Sequence, residues 1–414
     1  MSPRPSVTCG IDWAEGHYDI ALVDADGRLV DKARLDDTME GFTTFIELLA
    51  TAGDTADNPI PVAIETPRGL LVSALRATQR RVYSINPMAV ARYRERWTVA
   101  RSKSDHADAM VLANILRTDA HAHRPLPHDS ELARAISVLA RAHQDATWRR
   151  TKASNELRSL LREYYPGFLQ AVAARGATNL ASADARVILA IAPTPTAGAN
   201  LTTARIATAL RRGGRQRNID RIAAQIHHAL RRPQLRQPPA VEHAMGVQAG
   251  ALLAMLNAAC DGLEQLAKAT TEAFGQHPDH DVIVSFPGLG ELSGARVLAE
   301  IGDDRDRFAD ARALKAYAGS APVTRASGRS LVITHRRIKN NRLAAVGYTW
   351  AFMAMTNSPP ARAHYQQRKN AGDGHPAALR HLFNRLLGQL HHCLQTGQTY
   401  DEAKAFPAAQ PNAA

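Results

Sequence analysis

The order of apolar segments across residues 6 to about 118 constrains this chain most. Val7 to Ile11 is a short apolar run and Tyr18 to Val23 is a second. Asp24-Ala25-Asp26-Gly27 is a turn signal that returns the chain into Arg28 to Leu35. Phe42, Phe45, Ile46 and Leu49 then recur at helical spacing. Pro61 to Ile64 reads as a fourth strand, Leu70 to Leu75 as part of a helix, and Val82 to Ile85 as a fifth strand that Asn86-Pro87 stops. Three meandering strands followed by alternating helix and strand predict an α/β domain.

From about 129 to 275 the pattern is helical instead. Leu132, Ile136 and Leu139, and later Leu157, Leu160 and Leu161, mark one apolar face. Leu252, Leu256, Ala259, Leu263 and Leu266 alternate spacings of four and three, as a coiled-coil seam does. Two such helices pack either as an antiparallel hairpin or within an ordinary bundle, and spacing alone does not choose. Pro193-Thr194-Pro195 and the basic, Pro-rich stretch Arg231 to Pro239 read as linkers around a small helical insert. Leu343 to Met355 and Leu379 to Leu394 read as closing helices. The expected division is an α/β domain over 1–125, a helical, coiled-coil region with an insert over 126–280, a compact and mainly helical unit over 281–400, and a disordered tail over 401–414.

Charge narrows the partners. Lys plus Arg number 51 against 39 Asp plus Glu, a net +12, which favours a polyanion. DNA, RNA and an acidic membrane surface all fit that balance. Membrane is the weakest, because no uninterrupted apolar run reaches the roughly 20 residues of a spanning helix. Met1-Ser2-Pro3-Arg4-Pro5 leads into a strand pattern without a signal-peptide core. Cys9, Cys260 and Cys393 are too scattered for a disulfide framework or zinc knuckle, and His391-His392-Cys393 has no matching second ligand pair. A cytoplasmic protein is expected.

Acidic residues punctuate the α/β segment at telling places. Asp12 follows the first strand in Gly10-Ile11-Asp12-Trp13, and Glu65 follows the fourth in Ala63-Ile64-Glu65-Thr66. Asp105 and Asp108, in Ser104-Asp105-His106-Ala107-Asp108, open a helix and share one of its faces. Acids at neighbouring strand ends and on a crossing helix can converge. Four together repel unless divalent cations bind, and two magnesium ions about 4 Å apart could activate an attacking oxygen and stabilise a leaving one. Singly, each acid has a plainer reading: Ser104 as a helix cap with Asp105 and Asp108 complementing the dipole, and Asp12 as a turn residue.

Taken as a set, these residues resemble the RuvC-like, ribonuclease-H-fold domain of the DEDD transposases of the insertion sequence 110 family. Asp12 matches the first Asp of that pattern, Glu65 the Glu, and Asp105 and Asp108 the closing pair; the stretch from Asn86-Pro87 through Arg101-Ser102-Lys103-Ser104-Asp105 fits as well. The resemblance runs from residue 7 to about 400 and is weakest near 170–240.

The last unit carries two further motifs. Phe286-Pro287-Gly288-Leu289-Gly290, followed by Ala295 and Leu298, resembles a helix-hairpin-helix, in which Gly288 and Gly290 let backbone amides approach phosphate; a plain Pro-Gly turn between packed helices is the alternative. Phe308, Ala318-Gly319-Ser320-Ala321-Pro322 and Arg325-Ala326-Ser327-Gly328-Arg329 look like the C-terminal transposase domain of the same family. There the Ser of a Ser-Gly pair is the nucleophile, so the resemblance implies Ser327, with Ser330 and Ser320 as fallbacks. No His-Asp triad surrounds Ser327 in sequence; Arg325, Arg329, Arg336, Arg337 and Lys339 could bind the phosphate while metal supplies activation.

The resemblance further implies donor and target DNA, a covalent serine–DNA intermediate, an element-encoded guide RNA and a homo-oligomer, dimer or tetramer. Delegating sequence choice to base pairing suits a basic chain with only 5% aromatic residues. An extended helical hairpin would hold the two ends of one chain apart, so acids and Ser327 are expected to meet between protomers. Two other readings compete. A junction-resolving nuclease would use the acids alone. A sugar kinase or actin-like ATPase would need a small Gly/Thr phosphate loop where Trp13-Ala14-Glu15-Gly16-His17 stands.

Overall fold

The computed structural model describes residues 6–95, 105–174, 177–328 and 330–407, and for Asp105, His106 and Ala174 the backbone alone. The chain divides into two compact units, Met1–His128 and Asp129–Ala414.

In the first unit, β1 (Val7–Ala14), β2 (His17–Asp24) and β3 (Leu29–Asp36) form an antiparallel meander. After α1 (Met39–Thr51), β4 (Val62–Ile64) joins β1 in parallel; after α2 (Leu70–Ala77), β5 (Val82–Ser84) joins β4 in parallel. The sheet order is β3-β2-β1-β4-β5. The chain then runs through α3 (Pro87–Arg94) to α4 (Asp105–Asp119). Asn86 caps α3 by accepting the Met88 N–H, so the Asn-Pro pair ends a strand and starts a helix.

Alternation along the strands gives the sheet two apolar faces. Cys9, Ile11, Ile20, Leu22, Val62 and Ile64 pack with Phe45, Leu49, Leu71 and Leu75 of α1 and α2. Ala63 and Tyr83 pack on the other side with Val90, Tyr93, Leu112 and Leu116 of α3 and α4. On that second face α4 lies directly on β1. Thr8 Oγ1 donates to Ala113 O at 2.9 Å, and a Cβ at Gly10 would fall 2.0 Å from Ala109 O. Only a residue without a side chain lets helix and strand approach so closely.

The second unit is almost wholly helical. Two long helices, α5 (Glu131–Tyr164) and the later Pro239–Gly275, frame a small helical cap. The cap comprises α6 (Pro166–Ala171), a short ribbon of β6 (Ala173–Ala174) and β7 (Ala177–Thr178), then α7 (Ala183–Ile191), α8 (Pro195–Ala199), α9 (Thr203–Arg212) and α10 (Ile219–Leu230). Pro239–Gly275 is therefore α11. Leu157 and Leu161 near the end of α5 share a core with Ala249, Leu253 and Leu256 near the start of α11. Ile136 near the start of α5 shares a core with Phe274 at the end of α11. The pair is thus antiparallel. The buried seam of α11 runs through Gly246, Ala249, Leu253, Leu256 and Cys260, shifted from the predicted one; Leu252, Ala259, Leu263 and Leu266 are half-buried.

By length and composition α11 could cross a membrane, and it is the one helix among the described residues that could. The expected linkers are packed segments. Thr194 caps α8, a Cβ on Gly246 would meet Thr194 Cγ2 at 2.4 Å, Gln234 Oε1 accepts the Gly167 N–H, and Arg236 pairs with Glu242.

The remainder contains α12 (His280–Val284), α13 (Glu291–Ile301), α14 (Ala311–Tyr317), a hairpin of β8 (Val323–Ser327) and β9 (Ser330–Thr334), α15 (Asn341–Asn357), α16 (Pro359–Asn370), α17 (His375–Thr396) and α18 (Glu402–Ala405). Its core, with Trp350, Leu382 and Leu386 at the centre, also takes in Ile136 and Phe274, so a boundary at 280 cuts through a shared core. The tail expected to be disordered is packed as far as Phe406. Ala405 is buried, the Tyr400 and Phe286 ring centroids are 4.6 Å apart, and Arg385 lies over the Phe406 ring.

Candidate active-site residues

Two sets of residues stand out, one in each unit. In the first, Ile11 of β1 is in register with Ile64 of β4. Asp12 and Glu65, the next residues, therefore lie at the same level of two adjacent parallel strands; Glu65 follows β4, but Asp12 lies within β1 and does not follow it as the sequence suggested, because pairing with β2 carries the strand on to Ala14. Alternation puts Asp12 on the face of Thr8 and Gly10, and Glu65 on the face of Ala63. Both acids are half-buried on the α4 side. Helix α4 runs antiparallel to β1, since Thr8 meets Ala113 and Gly10 meets Ala109. Continuing one step along that face brings Asp12 level with the start of α4, where Asp105 and Asp108 lie.

Asp108 is only 6% exposed, and Arg94 at the end of α3 donates to its carboxylate. The side chain of Asp105, and with it Ser104, lies outside the described residues. Among the described residues no three His, Cys, Asp or Glu side chains stand together as a formed metal site. The donor set is nonetheless all carboxylate oxygen on one face of one sheet end. That chemistry fits a hard divalent cation and not a soft one.

The structure adds a residue that the sequence analysis missed. Asp19 of β2 is directly opposite Asp12 in the β1–β2 register, on the same face, and is 1% exposed. Arg34 of β3 holds it with two hydrogen bonds of 3.0 and 2.8 Å, and His17 stands 3.8 Å away. An extra carboxylate beside Asp12 would worsen repulsion, and the bidentate guanidinium cancels its charge. The signal was available: positions 12 and 19 are symmetric about the two-residue Glu15-Gly16 turn, so they pair if the turn does.

In the second unit, Ser327 ends β8 and faces Ser330 at the start of β9 across a two-residue turn, with Gly328 at φ +54°. The segment is a β-hairpin. Leu331, Val332 and Ile333 alternate poorly but are β-branched or bulky enough to support a strand. Every described residue of the hairpin except Val323 and Thr334 at its root, which are half-buried, is exposed, including Arg325, Ser327 and Ser330. Arg329 lies outside the described residues. Arg336 and Lys339 are half-buried at the root of the hairpin, and Arg337 is exposed. Ser320 is buried instead, with its hydroxyl donating to Lys315 O and accepting from Asn384 Nδ2, each at 3.2 Å.

The glycine motif of 286–290 has a packing explanation. Gly288 has φ +82°, and a Cβ there would fall 2.5 Å from Ala354 N in α15. The Gly290 amide, which the sequence offers to phosphate, donates to Ser293 Oγ at 2.9 Å as the start of α13 closes on itself. That bond occupies the Gly290 amide, and α12 before the turn has only five residues.

Comparison with known proteins covers both regions. Residues 9–166 match the DEDD model for IS110, described as "Transposase", and residues 280–366 match "Transposase IS116/IS110/IS902 family". A protein of Streptomyces coelicolor named as the mini-circle transposase for IS117 is 57% identical over 401 residues, covering 97% of each chain. The IS900 42 kDa protein of Mycobacterium paratuberculosis is 28% identical, covering 97% of this chain and 99% of its own. The IS110 43.6 kDa protein of Streptomyces coelicolor is 26% identical over 95% of each.

These matches define the class: an insertion-sequence transposase, an enzyme that cleaves DNA and transfers strands. The chain belongs to the IS110 family of transposases, which sets the sugar kinase and ATPase readings aside. Divalent-metal use goes with the DEDD group as a whole.

Proposed function

We propose that this transposase cuts DNA at a magnesium-dependent carboxylate site built from Asp12, Glu65, Asp105 and Asp108, and joins strands through a covalent link to Ser327. The observation that carries the reading is the shared placement of Asp12 and Glu65, at one end and on one face of adjacent parallel strands, under the helix that bears Asp105 and Asp108. Read this way, the β3-β2-β1-β4-β5 sheet is a RuvC-like ribonuclease-H fold. Two bound magnesium ions would polarise the phosphodiester and help an attacking oxygen lose its proton.

The protein's own groups set up that chemistry. Asp19 and Arg34 neutralise each other beside Asp12, leaving the negative charge to the four acids. Arg94 balances Asp108 and must yield its place when a cation binds there. Ser327 Oγ attacks phosphorus; a new P–O bond forms as the bond to the sugar oxygen breaks, and that oxygen leaves with a proton. The serine phosphodiester retains the energy of the broken linkage, so rejoining needs no nucleotide cofactor. Arg325, Arg336, Arg337 and Lys339, with Arg329 by family resemblance, pair with phosphate oxygens. The net charge of +12 suits both donor and target DNA and an element-encoded guide RNA, in an assembly of at least two chains.

A nicked suicide substrate run on a denaturing gel tests the reading. Wild type in magnesium is expected to leave a covalent protein–DNA adduct. Ser327→Ala abolishes it, and Ser330→Ala keeps it. Glu65→Gln also abolishes it while duplex binding stays. An adduct that persists in Ser327→Ala overturns the nucleophile; cleavage without any adduct, dependent on Glu65, favours the resolving-nuclease reading.

A further inference from the structure

At the root of the hairpin lies a cavity of about 170 Å³ with two kinds of wall. Its floor is apolar, from Ala344, Tyr348, Pro376, Leu379 and Phe383. Its remaining wall carries His335, Arg336, Lys339 and Arg380, and no lining residue is acidic. Arg336 Nε is buried and has no hydrogen-bond partner among the described residues. Lys339 is held in place as its stem crosses Gly319, where a Cβ would fall 2.1 Å from Lys339 Cδ, and its ammonium donates to Arg336 O at 3.4 Å. The fold thus keeps cations gathered around an apolar hole.

An aromatic shelf continues from the cavity. Tyr348 is 47% exposed and Phe352, one turn on along α15, is 43% exposed. Both meet the His375 ring nearly edge-on, at 6.3 and 6.4 Å between centroids. Four large aromatic side chains are exposed among the described residues, Trp13, Trp148, Tyr348 and Phe352. Two of the four stand side by side here, so the exposure is concentrated at this place.

The ligand follows from the two walls together. A bare phosphate would have no use for the apolar floor. An acyl chain would suit the floor but not the volume, which is also well below the roughly 300 Å³ of a drug-sized pocket. A flat heteroaromatic ring attached to a phosphodiester satisfies both: the ring enters the floor beside Tyr348, and the flanking phosphate meets Arg336, Lys339 and Arg380. We propose that this cavity captures one unpaired nucleobase of a single nucleic-acid strand, distinct from the serine at the hairpin tip. The proposal rests on the transposase reading for the presence of a strand there. It does not rest on the identity of the nucleophile. The strand could be DNA or RNA, since both carry base and phosphate.

The test measures equilibrium binding of the full chain, as Ser327→Ala to prevent covalent trapping, to short single-stranded DNA and RNA oligonucleotides. Each is scanned with one abasic site and, separately, one 2-aminopurine. The expected result is one position at which removing the base weakens binding by about tenfold, the scale of one base–aromatic stack, with 2-aminopurine fluorescence changing at the same position. In Tyr348→Ala, whose side chain is half-exposed, that abasic penalty disappears while the melting temperature and duplex binding are kept. Arg380→Gln weakens the intact and abasic strands alike. Whichever oligonucleotide type gives the larger penalty identifies the natural strand, and equal penalties mean the site takes both. Equal binding of intact and abasic strands at every position, or an abasic penalty unchanged in Tyr348→Ala, overturns the proposal. An adduct that persists in Ser327→Ala on the suicide substrate, with the base penalty intact, counts against the nucleophile alone.

Discussion

Asp12 lies within and Glu65 just beyond strands whose inner residues are buried on both faces, whereas Ser327 ends a two-stranded ribbon exposed along nearly all its described length. The acids are held by the sheet and by a helix in backbone contact with it. The serine is held by cross-strand hydrogen bonds and little else. The difference matches the role proposed for each group. Metal ligands must hold their positions against mutual repulsion, and rigid elements supply that. A nucleophile that must enter a groove and then carry a strand needs reach, and a hairpin of five-residue strands extends roughly 17 Å. An isolated hairpin of this kind is marginally stable in water, so it can adapt to its substrate.

The contrast can be broken most sharply at Gly10. Gly10→Val puts side-chain carbon where Ala109 O and Ala113 N now lie, within 2.0 and 2.5 Å of an ideal Cβ. Backbone cannot yield as a flexible side chain can. The expected loss is about 3–5 kcal/mol in the first unit, read by denaturant unfolding, with cleavage lost as α4 lifts from β1. Unfolding within about 1 kcal/mol of wild type would mean that the tight helix–strand contact does not hold the acids.

Acid tests the scaffold that carries the hairpin. His143 of α5 is buried beside Arg296, whose Nη2 donates to its Nδ1 at 3.0 Å. Burial, reinforced by Arg296 and Arg150, lowers its pKa from 6.5 to about 4. The folded state therefore binds fewer protons than the unfolded state between those values. Its contribution is complete above pH 6.5 and is lost as pH falls toward 4. A loss of about 1–2 kcal/mol is expected, after allowance for partial solvation. Denaturation at pH 7.5, 5.5 and 4.5 should show that slope in wild type and a shallower one in His143→Gln; parallel slopes would remove His143 from the scaffold's acid response.

The smallest effect belongs on the hairpin. Leu331 and Ile333 are each 66% exposed. Leu331→Ser should change unfolding free energy by no more than about 0.5 kcal/mol, because little apolar surface is withdrawn from water there. Its effect is expected in DNA joining instead, and a stability loss above about 1.5 kcal/mol would show that the hairpin is packed in solution.

Much of the first unit could be read from local pattern. The five strands, α1, α2 and the Asn86-Pro87 break all declare themselves over four to eight residues, but the sequence ended β1 before Asp12, and only the pairing with β2 shows that the strand runs on to Ala14. The Arg-Ala-Ser-Gly-Arg run declared itself by resemblance, yet its strand character did not show, because exposed strands lack the one-sided apolar alternation that marks buried ones.

What the sequence by itself determined is the inventory: a sheet-forming segment with acids at two strand ends, two long helices, a basic chain and a serine between arginines. Tertiary structure alone decided the rest, because each decision depends on groups far apart in the chain. Gly10 counts only through Ala109 and Ala113, nearly 100 residues away. Asp19 matters only because strand register sets it against Asp12. Gly288 must lack a side chain because α15, more than 60 residues on, lies against it. The half-exposed Tyr348 becomes a candidate base platform only when α15, α17 and the hairpin root close around one cavity. Periodicity records which face of a segment is apolar; it carries no record of what that face will meet.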